Sequence, residues 1–398
     1  MGRSGARLEA MPVPLRLRSK VLLVGSVLGL TAVWPLEFLV FRSNRIVPGE
    51  GLSLLQAAPW PAWLGLILFW GYFLLRSFAG SERIRTAELL PAALAPSCLL
   101  FVAGEAATEI LARAQPYARV SMGPGIWVGL IAFFILLVAL YPRTGGGRGA
   151  AIPLGAGGAL LLWVLASGRL TDLSLVTELI QRQERFVAEL VNHLWIAGLS
   201  VGLSTLAGIP LGFVVFRKAW LREKTFSVLN IVQTIPSLAL FGLLITPLAL
   251  LAAAVPLLKE LGLRGIGWTP AIIALTLYAM LPIVRNTYAG FAEVEPELAE
   301  AGRGMGMSRA QLLFLVELPR ALPIVLSGLR IACVQNVGNT AVAALIGAGG
   351  LGVFIFQGLG QSALDLILLG ALPTILLAVG VDALFQLLIH LATPKGLR

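Results

Sequence analysis

Charged residues are scarce in this chain. Of its 398 residues, 13% are charged and 58% are hydrophobic, whereas a soluble protein carries roughly 25% charged residues. Residues 225–258 and 331–364 contain no charge at all, and each stretch exceeds the roughly 20 apolar residues that cross a bilayer. The apolar runs are continuous rather than alternating, which argues against a transmembrane β-barrel. The composition excludes a soluble fold and predicts an all-α polytopic membrane protein.

Residues that bind metals or form disulfides are equally few, with two cysteines and two histidines. Cys98 and Cys333 lie inside apolar segments, where we expect them to be packing residues. His193 and His390 are far apart in the sequence, and neither has a cluster of further ligands beside it. We therefore expect no metal or cofactor site in this chain.

The sequence also lacks a phosphate-binding loop. None of its lysines (Lys20, Lys218, Lys224, Lys259 and Lys395) follows a glycine, although a Walker A loop requires Gly-Lys-Ser/Thr to hold phosphates. We therefore do not expect the chain to be an enzyme, and energy for any ATP-driven process would come from another subunit.

The net charge of +10 has a topological interpretation, because basic residues gather at the ends of apolar segments. They are Arg16, Arg18, Lys20, Arg76, Arg83, Arg85, Arg143, Arg148, Arg217, Lys218, Arg222 and Lys224. Basic residues concentrate on the cytoplasmic side of membrane proteins. We attribute the charge to topology rather than to nucleic acid, and expect both termini and residues 291–319 to be cytoplasmic.

Apolar runs predict about ten transmembrane helices. The predicted spans are 20–41, 60–79, 88–104, 124–142, 150–168, 192–216, 226–251, 270–290, 320–345 and 364–391. The first run lacks a clear cleavage site, so we interpret it as an uncleaved span. Prolines within the spans indicate bent helices. The glycine pairs Gly198/Gly202 and Gly208/Gly212 indicate closely packed helices.

The spans divide into three predicted regions. Residues 1–170 form an accessory membrane region of about five spans, and residues 171–189 form an amphipathic connector. Residues 190–398 contain the other five spans and a polar, glycine-punctuated block at 291–319. We call this block the coupling loop.

The coupling loop predicts a helix, a glycine turn and a second helix lying across the membrane surface. Pro296 suits the first turn of a helix. Leu298, Ala301 and Met305 are expected to form one small apolar face of this helix. The small residues Ala301 and Gly302 should keep this face flat. A flat face of this kind fits a groove on another protein.

Local signals also predict where these two helices end and begin. Gly304 and Gly306 should end the first helix. Ser308 and Gln311 have the spacing of a capping box for the second, which Pro319 should stop or kink.

The loop carries a motif with fixed spacing. The pattern is Glu300–Ala301–Gly302, three residues, Gly306, nine residues, Val316, one residue, and then Leu318–Pro319. This pattern resembles the EAA loop of bacterial ABC-importer permeases, with Gly302 and Val316 where alanine and isoleucine are usual. The resemblance implies that Glu300, Ala301, Gly302, Gly306, Leu318 and Pro319 dock on a separate ATPase subunit, which would hold ATP and magnesium.

Further stretches resemble the osmoprotectant permeases, which import glycine betaine, carnitine and choline. They are residues 208–212, 230–240, 281–288 and 343–352. The resemblance implies a five-helix, methionine-importer-like permease core, and residues 1–170 resemble the extension of a longer-permease subgroup. It also implies a periplasmic or lipid-anchored substrate-binding protein, and a second permease that is either another copy or a shorter paralogue.

A few polar residues interrupt the later spans and are expected to face the interior or a translocation path. These candidates are Gln233, Pro236, Ser237, Asn336, Asn339 and Thr340. Hydrogen bonding between helices, without substrate contact, is the alternative. Arg330 and Asp382 could pair structurally or act in gating, and residues 346–360 should form a re-entrant or outer segment.

Three functions remain open from the sequence. The first is the permease subunit of an ATP-driven importer of a quaternary ammonium osmoprotectant in the bacterial inner membrane. The second is an ABC permease for an amino acid such as methionine. The third is a secondary transporter or a membrane scaffold, which the small number of carboxylates within the spans disfavours.

Overall fold

The structure is a computed structural model, and it describes residues 19–44, 47–78, 86–141, 148–260 and 262–393. Several basic residues used to predict topology, Arg16, Arg18, Arg83, Arg85 and Arg143, lie outside these ranges. The chain divides into two compact units, Met1–Glu178 and Leu179–Arg398.

The first unit combines membrane-length helices with a small sheet. Its elements are α1 (Lys20–Val33), β1 (Glu37–Arg42), β2 (Glu50–Ser53), α2 (Leu54–Ala57), α3 (Trp60–Phe78), α4 (Thr86–Ala112), β3 (Arg119–Met122), α5 (Pro124–Leu140) and α6 (Arg148–Ala166). The strands form an antiparallel sheet in the order β2-β1-β3, with Leu39 opposite Leu52 and Met122.

This sheet corrects the predicted first span, 20–41. The helix ends at Val33, and residues 37–42 form the central strand instead. Pro35 has no N–H group to continue the helical ladder, and the following Phe-Leu-Val-Phe run has the aromatic and β-branched composition typical of strands.

The apolar core of the first unit surrounds Trp70, Phe73 and Phe133, which are almost fully buried. Gly29 of α1 permits this packing, because a Cβ atom there would lie 2.1 Å from the Trp70 indole ring.

The second unit contains most of the candidate site. Its elements are α8 (Gln183–Arg217), α9 (Ala219–Thr234), α10 (Ser237–Ala254), α11 (Pro256–Glu260), α12 (Trp268–Ala292), α13 (Pro296–Gly304), α14 (Arg309–Leu312), a π turn (Leu313–Glu317), α15 (Leu318–Val342), a 3-10 turn (Ala343–Ile346), α16 (Gly352–Gly360) and α17 (Leu364–Ala392). The preceding helix α7 (Ser174–Gln181) crosses the division between the units. Residues 183–189, predicted as part of the connector, belong to α8.

Helix α12 is the central helix of this unit, since it packs along both α8 and α15. Its contact with α8 is close: a Cβ at Gly212 would lie 2.6 Å from Thr287 Cβ and 2.8 Å from the Val284 carbonyl oxygen. No atom of the described residues lies within 4 Å of such a Cβ at Gly198 or Gly202. Of the two predicted glycine pairs, only the second therefore packs closely within the described chain.

The predicted membrane fold is confirmed, but the count of ten spans is not. Among the described residues, eight helices are long and apolar enough to cross a membrane, and the apolar helices α1 and α5 are shorter. The predicted span 226–251 was also wrong as a single helix. It is divided into α9 and α10 at Ile235, whose extended backbone precedes Pro236, as expected for a residue before proline.

Candidate functional site

Helix α13, the first helix of the coupling loop, has one buried face and one exposed face. Ala299 and Gly302 of α13 are buried, whereas Glu300 and Ala301 are exposed and Met305 is 72% exposed. Gly302 faces α14, since a Cβ atom there would lie 2.8 Å from Leu312 Cδ1. The expectation that Gly302 shares the outer face with Ala301 was therefore wrong, and its small size serves packing within the loop.

The turn between the two helices follows the local sequence signals. Gly306 has a left-handed φ of 81°, and Met307 N–H donates to the Gly302 carbonyl. The predicted capping box is confirmed: Gln311 N–H donates to Ser308 Oγ at 3.3 Å, and Ser308 N–H donates to Gln311 Oε1 at 2.8 Å.

The second helix does not stop at Pro319. Helix α14, the π turn and α15 form one helical run, and Leu318 N–H donates to the Leu313 carbonyl five residues back. Proline has no N–H group for the regular ladder, and the π turn lies directly before it. Phe314 and Leu315 of this turn are 62% and 65% exposed.

Glu317 was not predicted as part of the site. Its side chain is buried, and Arg217 Nη2 at the end of α8 donates to Glu317 Oε2 at 2.5 Å. The sequence contained one signal, a lone carboxylate inside the apolar run Leu312–Leu318. Its basic partner is 100 residues away, so the pairing could not be predicted.

Helix α8 also contacts a turn near its N-terminal end, opposite the end that carries Arg217. We define residues 347–351 as the glycine turn, in which Gly347, Gly349 and Gly350 have φ between 77° and 85°. Asn192 Nδ2 donates to the Ala348 carbonyl at 2.8 Å, and Gly350 N–H donates to Glu189 Oε2 at 2.6 Å.

His193 completes this set of contacts. Leu351 N–H donates to His193 Nδ1 at 3.3 Å, and His193 Nε2 lies 3.0 Å from the Val337 carbonyl oxygen. This geometry requires the neutral tautomer that carries its proton on Nε2. After the turn the chain forms α16, which packs against α17.

Comparison with known proteins identifies both halves of the chain. Residues 204–393 match the family of binding-protein-dependent transport system inner membrane components, and residues 17–176 match the N-terminal domain of the ABC transporter permease YehY. The osmoprotectant import permease protein OsmW of Salmonella typhimurium is 44% identical over 52% of this chain and 91% of OsmW. This chain belongs to the ABC permease family.

The chain is also similar to other permeases. The carnitine transport permease protein OpuCB of Listeria monocytogenes is 37% identical over 56% of this chain and 96% of OpuCB. A solved structure of the MetNI methionine ABC transporter in an inward-facing conformation is 25% identical over 52% of this chain and 96% of that chain, with a TM-score of 0.44. The match to the YehY domain confirms the resemblance to a longer-permease subgroup.

The six candidate path residues of this permease lie on two parts of the second unit. Gln233, Pro236 and Ser237 surround the α9–α10 break, and Gln233 Nε2 donates to the Tyr278 carbonyl at 2.7 Å. This hydrogen bond between helices is the alternative considered for these residues.

The other three candidates are on α15. Asn336 and Thr340 are fully buried, Asn339 is half-buried, and Thr340 Oγ1 donates to the Asn336 carbonyl at 2.7 Å. The side-chain amide of Asn336 has no hydrogen-bond partner in the described chain. Contact of these residues with a substrate stays a prediction.

Arg330 and Asp382 form the ion pair that was one of the two alternatives for them. Arg330 Nε donates to Asp382 Oδ1 at 2.5 Å, joining α15 to α17. Gln386 Nε2 donates to the other carboxylate oxygen at 2.7 Å. Pairing reduces the cost of placing either charge inside apolar helices.

Proposed function

We propose that this chain is the transmembrane permease subunit of an ATP-driven importer, and that its cargo is a quaternary ammonium osmoprotectant such as glycine betaine, carnitine or choline. The observation that carries this proposal is the geometry of the coupling loop. Helix α13 is packed through Ala299 and Gly302, while Glu300, Ala301 and Met305 remain exposed.

An exposed apolar surface on a polar loop suits a protein partner. Met305, Phe314 and Leu315 are all more than 60% exposed, and they lie before and after a turn that has Gly306 in a left-handed conformation and a Ser308 capping box. The sequence has no Gly-Lys pair. The proposed partner is therefore an ATPase subunit that holds ATP and magnesium and contacts the loop on the cytoplasmic side.

The cargo is inferred from relatives rather than from a binding site. OsmW is named an osmoprotectant import permease, and relatives in Bacillus subtilis are named glycine betaine/carnitine/choline and choline permeases. Pairing of Arg330 with Asp382 agrees with a cationic cargo, because it neutralises an arginine within α15. Methionine is the alternative cargo.

The remaining partners follow from the same family. A binding protein outside the cell would deliver the cargo, and a second permease, either another copy or a shorter paralogue, would complete the path. The proposed location is the bacterial inner membrane, where lipid would surround the helices and both termini would be cytoplasmic. No nucleic-acid partner is proposed.

Reconstitution tests this proposal. The permease, its co-purified ATPase and its binding protein would be placed in proteoliposomes, and uptake of labelled glycine betaine, choline, carnitine and methionine would be measured with and without ATP. We expect ATP-dependent uptake of at least one quaternary amine and none of methionine. Uptake of methionine alone would support the alternative cargo, and a permease that recruits no ATPase would refute the proposal.

A further inference from the structure

A buried carboxylate lies where the coupling loop joins the transmembrane helices. Glu317 is the last residue of the π turn and is 4% exposed. Its charge is compensated by Arg217, the last residue of α8. An ionised carboxylate buried without a partner is strongly unfavourable, so the position of Glu317 depends on Arg217.

The arginine is itself held by two aromatic rings. The Arg217 guanidinium carbon lies 5.1 Å from the Phe213 ring centroid and 5.2 Å from that of Phe216, within the range of cation–π attraction. The planar guanidinium can stack on these rings while it donates to the carboxylate. Lysine would retain the charge but lose much of this geometry.

The same rings contact the other end of the coupling loop. Phe291 lies near the end of α12, and its ring centroid is 4.9 Å from that of Phe213 and 5.8 Å from that of Phe216. The last turn of α8 therefore contacts the start of the loop through Phe291 and its end through Glu317.

We propose that Arg217 and Glu317 are a positioning pair that transmits movement of the coupling loop to α8, α12 and α15. The inference rests on the proposed function, because it assumes that an ATPase moves the loop. Among the described residues, no other ion pair joins the loop to a transmembrane helix. Without this pair, α13 would still dock on the ATPase, but its displacement would no longer be transmitted to α8, α12 and α15.

Three variants of the full complex test the proposal: Arg217→Gln, Glu317→Gln, and the exchange Arg217→Glu with Glu317→Arg. The matched control is Arg113→Gln, which removes an exposed i,i+4 pair with Glu109 in the first unit. Each complex would be purified with its ATPase, reconstituted with the binding protein and supplied with labelled glycine betaine. ATP hydrolysis and uptake would be measured on the same preparation.

We expect every variant to retain its ATPase subunit. In both single variants the number of substrate molecules imported per ATP should fall roughly tenfold, within the range of known coupling effects. The exchange variant should recover part of this ratio, and the control should match the wild type. A purely structural role would lower the amount of assembled complex without changing the ratio.

Two results would overturn the inference. One is a wild-type ratio of uptake to hydrolysis in both single variants. The other is loss of the ATPase from both variants, which would make the pair a structural element. Failure of the wild-type complex to recruit an ATPase would instead refute the proposed function, so the two failures are distinguishable.

Discussion

The coupling loop and the glycine turn are both held by α8, one at each end of the helix, but in different ways. Glu189, Asn192 and His193 hold the largely buried glycine turn by hydrogen bonds, whereas Arg217 holds the loop through one ion pair. A rise of 1.5 Å per residue puts His193 and Arg217 about 36 Å apart, enough to cross a bilayer. The glycine turn is therefore fixed inside the protein, whereas the coupling loop keeps one face exposed.

A pair of glycines shows the difference most clearly. Gly306 and Gly349 have nearly the same φ, 81° and 80°. A Cβ at Gly349 would lie 2.3 Å from Asn192 Nδ2 and 2.9 Å from Glu189 Oε2, whereas in the part of the chain that the structure describes nothing lies within 4 Å of a Cβ at Gly306. Both positions require a left-handed backbone, but only Gly349 is also surrounded by side chains that leave no room for a Cβ atom.

The largest effect is expected for Gly349→Ala. A left-handed L-residue costs about 1–2 kcal/mol. The added Cβ would also displace the Asn192 amide and the Glu189 carboxylate, and loss of their hydrogen bonds to the turn costs about 1–3 kcal/mol more. The detergent-solubilised protein should therefore unfold at a clearly lower temperature. Gly198→Ala is the control, since a Cβ there meets none of the described atoms within 4 Å. Equal unfolding temperatures for Gly349→Ala and the wild type would contradict a tightly packed turn.

A smaller loss is expected for Asn192→Ala. The substitution leaves the buried Ala348 carbonyl without the donor that it has in the structure, at a cost of about 1–3 kcal/mol. Thermal unfolding in detergent would measure this cost. If Asn192→Ala were as stable as the wild type, the hydrogen bonds from α8 would not be what holds the turn.

The corresponding change in the coupling loop, Gly306→Ala, should cost less than Gly349→Ala. Only the backbone term of about 1–2 kcal/mol applies, because the site is open. We expect the variant to insert and fold, with reduced ATP-driven uptake because the turn is altered. A stability loss as large as that of Gly349→Ala would remove the contrast between the two turns.

Substitution of the exposed loop surface should leave stability nearly unchanged. Met305 is 72% exposed, and Met305→Asp should alter the free energy of unfolding by no more than about 0.5 kcal/mol, as is usual for surface positions. Co-purification of the ATPase should nevertheless fall, because a charge would enter an apolar contact. Full retention of the ATPase with this variant would exclude Met305 from the docking surface.

The coupling loop could be predicted largely because its signals are local. Pro296 at the first turn, Gly306 at the left-handed position and the Ser308–Gln311 box each act over a few residues. Gly302 could not be assigned to the inner face, because that depends on where α14 packs.

Features that depend on distant pairing were missed. Strand β1 pairs with β3 far along the chain, and its apolar residues directly follow the apolar run of α1. The burial of Asn336 likewise depends on which face of α15 meets its neighbours, and an isolated span contains no signal for that choice.

Amide hydrogen exchange would show whether an ATPase subunit docks on the coupling loop. Exchange would be followed in the permease with and without its ATPase subunit, comparing peptides that cover α13 with peptides that cover the glycine turn. We expect slower exchange across residues 296–306 when the ATPase is bound, and little change at residues 347–351. Unchanged exchange in α13 while the ATPase is bound would contradict docking at the coupling loop.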